Sequence, residues 1–289
     1  MDEKELISQK SKAYIQLIIT AFGWALSTIL IKLYVGSIPP FHLLMGRFFL
    51  GSLFIFFTNP KAFLKVKKSE LKTGGILGSL LFIVYSLGVS ALIFTSASKS
   101  GFLIALTVLF IPIMESRLKK VWPSKWTAIS VLCSIIGLKL IAGINGTSFN
   151  FGDFLSILCA IVSTAYIIVL DRLGKDKNDL ILTEIQLITV TIISFIAALI
   201  FEGFNFQLLI SNIVVLVIMG VLGTGITTLF QTRAQKVASS ESVGIILLGE
   251  PLFTLIMAYF ILGETILLSG FIGSMLLLAS LVIAIIKRV

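Results

Sequence analysis

Long apolar runs alternate with short polar segments along this chain. Each run is close to 20 residues, the length that an α-helix needs to cross the hydrocarbon core of a bilayer. The runs predict ten membrane-spanning helices, at about residues 14–35, 41–58, 74–95, 101–116, 126–144, 152–170, 180–201, 212–231, 242–262 and 266–286. Because these runs fill most of the 289 residues, we expect an all-α membrane protein without a separate soluble domain.

Lysine and arginine are distributed unevenly between the polar segments. If the N-terminus is cytoplasmic, 19 of the 23 basic residues lie in cytoplasmic segments, and the outer loops hold only Lys99. Arg47 falls inside a span, while Lys32 and Lys139 lie near the outer ends of theirs and are expected to snorkel towards the headgroups. This asymmetry predicts that both termini face the cytoplasm. The net charge of +9 then belongs to loops that face anionic lipid, so we expect no nucleic-acid partner.

Composition limits the chemistry that the chain can support. Hydrophobic residues make up 57% of the chain and charged residues only 13%. Cys133 and Cys159 lie within apolar runs, where cysteine packs as a small apolar group, and His42 is the only histidine. This set does not favour a zinc or haem site, and no His-Glu-x-x-His, G-x-S-x-G or Walker motif occurs. We therefore expect no enzymatic activity, no metal and no cofactor.

The ninth run, from Ser242 to Gly263, contains Glu250 followed directly by Pro251. A rise of 1.5 Å per residue places Glu250 about 12 Å into the bilayer, close to its midplane. A carboxylate there costs about 2.5–3.5 kcal/mol, which favours a functional role. The proline predicts a break in the helix. The alternative is that Pro251 makes a packing kink and Glu250 bonds a neighbouring helix without contacting substrate.

The pattern of the first half recurs in the second. Pro112 and Pro251 are 139 residues apart, and each is predicted to break the fourth span of its half. Five spans per half is an odd number, so the second half enters the membrane from the opposite side. We therefore predict two inverted five-helix repeats, with a binding site at the midplane where they meet. The repeats are residues 1–145 and 152–289.

Several segments together resemble a known family. In the first half they are FGWALSTILIKLYVGSIPPFHLLMGRFF, TSASKSGFLIALTVLFIP and WTAISVLCSIIGLKLI; in the second they are GDFLSILCAIVSTAYIIVLDRL and LFQTRAQKVASSESVGIILLGEPLFTLIMAYFILGE. Over essentially the whole chain, the sequence resembles the EamA-type branch of the drug/metabolite transporter superfamily. The resemblance implies ten helices in two inverted repeats around a central cavity. It also implies export of small metabolites or toxic compounds by alternating access.

The first half departs from the family pattern. Glu115 lies three residues past Pro112, and the Leu-Gly-Glu element is missing before the segment WPSKW. The Leu-Gly-Glu element of the second half ends at Glu264, and we therefore do not assign the role of this element to the first half as well.

Four side chains within the spans are candidates for substrate binding: Trp24, Arg47, Tyr85 and Glu250. Arg47 is predicted to pair with Glu250 or to hold an anionic substrate group in a bidentate fork, and the alternatives are a helix-packing ion pair or snorkelling. Trp24 and Tyr85 lie midway along their spans and are predicted to wall a cavity, although aromatic residues inside spans also serve packing. Desolvation disfavours an ionised Glu250, whereas a nearby cation favours it. These opposing effects predict that Glu250 binds and releases a proton during transport.

These features together predict a secondary transporter in the cell membrane. We expect it to export small organic metabolites, such as amino acids or related compounds, as a monomer or a homodimer. An ion gradient or the substrate gradient supplies the energy, because no ATP-binding motif occurs. The alternatives are a membrane-embedded enzyme or lipid-modifying protein, and a purely structural membrane subunit.

The orientation is testable by labelling single cysteines in intact cells. In a background without Cys133 and Cys159, the Ser37→Cys variant should react with an impermeant maleimide, because residue 37 is predicted to face outward. The Lys67→Cys variant should be protected until the cells are permeabilised. Labelling of residue 67 with protection of residue 37 would contradict the predicted orientation.

Overall fold

The computed structural model describes residues 3–120, 149–265 and 268–286, together with isolated positions between 129 and 140. Helices make up most of these residues, and no strand occurs among them. The α-helices are α1 (Glu3–Tyr34), α2 (Pro40–Thr58), α3 (Lys68–Phe94), α4 (Ala97–Ile104), α5 (Thr107–Lys119), α6 (Phe151–Leu173), α7 (Asp179–Ala197), α8 (Phe206–Ser211), α9 (Ile213–Gly220), α10 (Ile226–Ala234), α11 (Ser240–Leu247), α12 (Gly249–Met257) and α13 (Leu268–Ile286).

Short segments of other helix types extend or join these helices. A 3₁₀ helix at Pro60–Lys65 lies between α2 and α3. Three π-helical segments follow α7, α9 and α12, at Ala198–Glu202, Val221–Gly225 and Ala258–Leu262. The second of these joins α9 to α10 without leaving the membrane span.

Eight helical segments of the described residues are long and apolar enough to cross a membrane. They are Ser8–Tyr34, Pro40–Thr58, Lys68–Phe94, Ala97–Leu118, Phe151–Leu173, Asp179–Glu202, Ile213–Ala234 and Ser242–Leu262. Each coincides with one of the ten predicted spans, so the all-helical membrane class is confirmed. Helix α13 covers most of the tenth predicted span, whereas the fifth, 126–144, lies outside the continuously described residues. The total of ten spans and the inverted relation of the halves stay predictions.

Two helices begin well before their apolar runs. Helix α1 begins at Glu3 and α3 at Lys68, whereas the runs begin at about residues 14 and 74. The polar residues that precede the α1 run are mostly Glu, Lys, Gln and Ser, of which the first three are good helix formers. At α3, the Glu70 carboxylate accepts a hydrogen bond from the Lys67 backbone N–H at 2.9 Å, which caps the helix. Hydropathy marks the part of a helix that lies in lipid, and local capping decides where the helix starts.

The two halves of the chain are packed into each other. Helix α3 packs along α6 and α7, α2 packs on α7, and α1 packs on α10 and α12. Each of these contacts joins a helix before residue 120 to one after residue 150. The space at the centre of the bundle is therefore bounded by both halves.

Two of the spans are broken near their middle. The first break lies at Ala105–Leu106, between α4 and α5, and the second at Leu248, between α11 and α12. Pro251 follows the second break by three residues and lies in the first turn of α12, where a helix needs no N–H donor. The predicted break at Pro112 is wrong in position, because Pro112 lies inside the continuous helix α5. A proline disturbs the helix on its N-terminal side, and the break at Ala105–Leu106 lies on that side of Pro112.

Two lysines have roles that differ from the predicted ones. Lys99 lies in the first turn of α4 rather than in an outer loop, and its Nζ forms an ion pair with Asp153 at 2.6 Å; both side chains are almost fully buried. Lys32 does not snorkel, because its Nζ donates hydrogen bonds to the carbonyl oxygens of Leu92 at 2.7 Å and Thr95 at 2.8 Å. The end of α3 leaves these carbonyls without helical partners, and a cation there also interacts favourably with the helix dipole.

Two glutamates cap helices at the end of the bundle that is predicted to face outward. Glu264, of the Leu-Gly-Glu element, accepts hydrogen bonds from the backbone N–H groups of Ala97 at 2.8 Å and Ser98 at 3.1 Å, at the start of α4. Glu202 does the same at the start of α2, where it also contacts His42 Nδ1 at 2.7 Å. Each carboxylate thereby fixes the position at which its helix, α4 or α2, begins.

The closest approach between α2 and α9 depends on glycine. A Cβ atom added at Gly220 would lie 2.6 Å from the Arg47 carbonyl oxygen and 3.1 Å from the Gly51 backbone nitrogen. Both contacts are with backbone atoms, so a larger residue would force the two helices apart.

We expect Gly220→Ala to lower the free energy of unfolding by about 1–3 kcal/mol, the usual cost of overpacking a close contact. Thermal unfolding of the purified protein in detergent measures this. Gly75→Ala in α3 is the matched control, because a Cβ at residue 75 would meet nothing within 4 Å. Equal melting temperatures for the two variants would show that the α2–α9 contact is not tight.

Candidate functional site

A cavity lies at the centre of the bundle, between helices of both halves. Its empty space is about 1030 Å³, including the part that is open to solvent. Most of its lining is apolar, supplied by α1, α3, α5 and α6. The four residues predicted to bind substrate all line it, namely Trp24, Arg47, Tyr85 and Glu250. The structure thus brings these four together, and their contact with substrate stays a prediction.

Arg47 is fully buried in α2 and is held by neutral groups. Its Nε donates to Thr224 Oγ1 at 2.8 Å, and its Nη2 donates to the Gly223 carbonyl oxygen at 2.9 Å and to Ser27 Oγ at 3.1 Å. Its Nη1 is buried without a hydrogen-bond partner. The guanidinium is therefore positioned by three hydrogen bonds from Nε and Nη2, and Nη1 is left unsatisfied.

The π-helical segment Val221–Gly225 creates the neutral acceptors for Arg47. A π turn shifts the backbone hydrogen bonds by one residue and leaves a carbonyl available to a side chain. Here the Gly223 carbonyl accepts from Arg47, while the Thr224 hydroxyl donates to the Met219 carbonyl at 2.9 Å. Thr224 Oγ1 then accepts from the guanidinium with its remaining lone pair. The position of Arg47 in the cavity thus depends on a local distortion of the opposite half.

Aromatic rings flank the guanidinium. Arg47 Cζ lies 4.9 Å from the centre of the Tyr85 ring, which is within the range of a cation–π contact. Tyr85 packs edge-to-face on Phe48, with ring centres 4.9 Å apart. The Trp24 indole N–H is buried without a hydrogen-bond partner. These rings offer flat apolar surfaces to a ligand beside the cation.

Glu250 lies in the first turn of α12, two residues after the break at Leu248. Its carboxylate has no hydrogen bond or ion pair with any residue that the structure describes, and the predicted pair with Arg47 does not form among them. The start of a helix carries a partial positive charge, which favours a carboxylate there. The cavity therefore presents an acidic and a basic group that do not neutralise each other directly.

Comparison with known proteins agrees with this geometry. A family model described as the EamA-like transporter family matches residues 11–143 and 150–286. The chain belongs to the EamA-like transporter family. Two relatives, from Archaeoglobus fulgidus and Clostridium kluyveri, are each called "Uncharacterized transporter" and are 26% identical to it. The alignments cover 92% of this chain and 83% of the first relative, and 91% and 89% for the second.

A solved crystal structure has the same fold. It superposes with a TM-score of 0.70 at 17% sequence identity and covers 97% of each chain. Family, relatives and fold together identify a multi-pass membrane transporter.

Several polar residues of this EamA-like transporter's site were not among the predicted ones, and two of them stand out. Gln231 lines the cavity, and both atoms of its buried side-chain amide lack hydrogen-bond partners. Ser27 also lines it and accepts from Arg47. Gln231 is the last residue of the predicted span 212–231 and is followed by Thr232 and Arg233, so the sequence does not distinguish it from the polar segment after the span. Ser27 gives no signal either, because serine is common in spans.

We expect Thr224→Val to lower the free energy of unfolding by about 1.5–3 kcal/mol, because it removes a hydrogen bond to the buried charge of Arg47. Thermal unfolding in detergent measures this loss. Thr254→Val is the matched control, since Thr254 is fully buried and its hydroxyl has no partner. The control should be neutral or stabilising; a cost equal to that of Thr224→Val would show that the Arg47 contact contributes nothing specific.

Proposed function

We propose that this protein is a secondary transporter that exports small organic metabolites bearing an anionic group, amino acids and related compounds among them. The observation that supports this most is that Arg47 lines the central cavity and that its buried Nη1 has no hydrogen-bond partner. A guanidinium binds a carboxylate or phosphate in a planar fork. The substrate anion would complete the hydrogen bonds that the protein leaves unmade.

The remaining lining suits the rest of such a molecule. The rings of Trp24 and Tyr85 would contact an apolar or aromatic portion. Gln231 offers both a donor and an acceptor, and Glu250 offers a carboxylate to an ammonium group. Most metabolites with a carboxylate, an amine and an apolar group would find complementary surfaces here.

The broken helices provide the means of alternating access. Ala105 and Leu248 lie at the two breaks, and both line the cavity. Half-helices on either side of a break can tilt without breaking the hydrogen bonds of the other half. We infer that tilting at these two points opens the cavity first to one side of the membrane and then to the other.

Glu250 couples this motion to protons in our proposal. It is the cavity carboxyl without a cationic partner among the described residues, and it lies beside the break at Leu248. Loss of its proton introduces a charge that has to be hydrated or paired, so the ionised and neutral forms favour different helix arrangements. A proton gradient would then drive substrate in the opposite direction.

Counterflow in proteoliposomes tests the proposed function. Vesicles loaded with one unlabelled metabolite should take up the same radiolabelled metabolite, and a panel of carboxylate-bearing compounds should identify the substrate. Empty vesicles provide the background. Absence of counterflow for every compound, with the protein correctly folded, would contradict the proposal.

Glu250→Gln keeps the shape of the side chain and removes its titration. We expect this variant to lose uptake driven by a pH gradient. It should retain counterflow at equal pH for substrates without an ammonium group, because counterflow requires no net proton movement and such substrates do not need the Glu250 charge. Asp176→Asn, at an exposed loop position, is the control and should behave like the wild type. Normal pH-driven transport by Glu250→Gln would exclude coupling through Glu250.

A further inference from the structure

Helix α7 contains a further carboxyl, Glu184, which is buried and does not line the cavity. Only 5% of this residue is exposed. Its Oε1 accepts a hydrogen bond from Ser52 Oγ of α2 at 2.6 Å, and its Oε2 is buried without a partner. A carboxyl in this setting either is ionised with too few hydrogen-bond donors or is protonated and therefore neutral.

The surroundings offer this carboxyl no compensating charge. The described elements that pack on α7 are α2, α3, α10, the 3₁₀ helix and the π-helical segment after α7. The titratable or charged residues on them and on α7 itself are His42, Arg47, Lys61, Lys65, Lys68, Glu70, Lys72, Tyr85, Asp179, Glu202 and Arg233. None of these forms a hydrogen bond or an ion pair with Glu184.

The cations of this set are held by other groups or exposed. Arg47 is held by the π-helical segment, and Arg233 forms an ion pair with Asp179. His42 contacts Glu202. The four lysines, Lys61, Lys65, Lys68 and Lys72, are exposed to the surroundings of the bundle.

Two other buried carboxyls of this protein show how a charged form is satisfied. Asp153 has Lys99 at 2.6 Å, the Thr95 hydroxyl at 2.7 Å and a backbone N–H. Glu70 is 4% exposed and accepts from two backbone N–H groups, one on each oxygen. Glu184 has neither a cation nor a backbone donor. An isolated carboxylate in an apolar interior is so unfavourable that the group instead takes up a proton.

We propose that Glu184 is a second proton-binding site of this protein, separate from the cavity, and that it is protonated in this conformation. It lies five residues from Asp179, or about 7.5 Å along the helix. Asp179 pairs with Arg233 and Lys236 at the end of the bundle. Glu184 is therefore a short distance from the end of the bundle, and separation of α2 from α7 would expose it to water. Glu184 would then release its proton. If the proposed transport cycle holds, this proton would add to the one carried by Glu250.

Infrared spectroscopy of the purified protein tests this directly, because a protonated carboxyl has a carbonyl stretching band that a carboxylate lacks. The wild type at neutral pH should show carboxylic-acid bands, and Glu184→Gln should remove one of them. Glu70→Gln is the matched control, a buried glutamate whose carboxylate is satisfied by backbone donors, and it should leave these bands unchanged. A spectrum of Glu184→Gln identical to that of the wild type in this region would overturn the proposal.

A second variant keeps the test decisive if Glu184→Gln does not fold. Ser52→Ala removes the one hydrogen bond to Glu184 and should shift its band, since the frequency depends on hydrogen bonding. An unchanged spectrum for Ser52→Ala would also overturn the proposal. The measurement requires no transport, so a negative result here leaves the counterflow of the wild type unaffected, and loss of counterflow leaves this proposal standing.

Discussion

A guanidinium group inside a membrane bundle has to keep its N–H groups hydrogen-bonded, because the surrounding lipid offers them no partners. Arg47 meets most of this requirement with two hydroxyls and a backbone carbonyl, beside an aromatic ring, rather than with a carboxylate, and its Nη1 has no hydrogen-bond partner. The acceptors exist because the Val221–Gly225 segment adopts a π helix, and they are within reach because Gly220 allows α2 and α9 to touch. The central site therefore depends on a backbone distortion in the second half of the chain, which supplies hydrogen-bond acceptors to a charged side chain of the first half.

The charged groups inside the bundle differ in whether they have partners. Near one end of the bundle they are neutralised: Lys99 pairs with Asp153, and the Glu264 carboxylate caps α4. Around the cavity they are not neutralised: Arg47 Nη1 is buried without a hydrogen-bond partner, and the partly buried Glu250 forms no ion pair among the described residues. Uncompensated polar groups cost free energy in a membrane. A basic and an acidic group that do not pair with each other line the space between the two broken helices, and this favours a binding and proton-transfer role over a packing role.

Hydropathy predicted the helical class and eight spans closely, because burial in lipid requires long apolar runs that composition records directly. Arg47 and Glu250 were identifiable for the same reason, since charges inside such runs are rare. The break at Ala105–Leu106 could not be predicted from Pro112, because the position of a break depends on how the preceding turns pack. Lys99 was assigned to a loop because its partner, Asp153, lies in another span. Contacts between spans decide these features, and a single sequence does not record them.

In our proposal, substrate binds in the cavity that Arg47 and Glu250 line. Thr28 lines this cavity and is partly accessible, so a Thr28→Cys variant without Cys133 and Cys159 would report on it. The rate of its reaction with a maleimide should fall when a counterflow substrate is added, while Lys175→Cys in the exposed loop should react at an unchanged rate. Unaltered labelling of residue 28 at saturating substrate would contradict the claim.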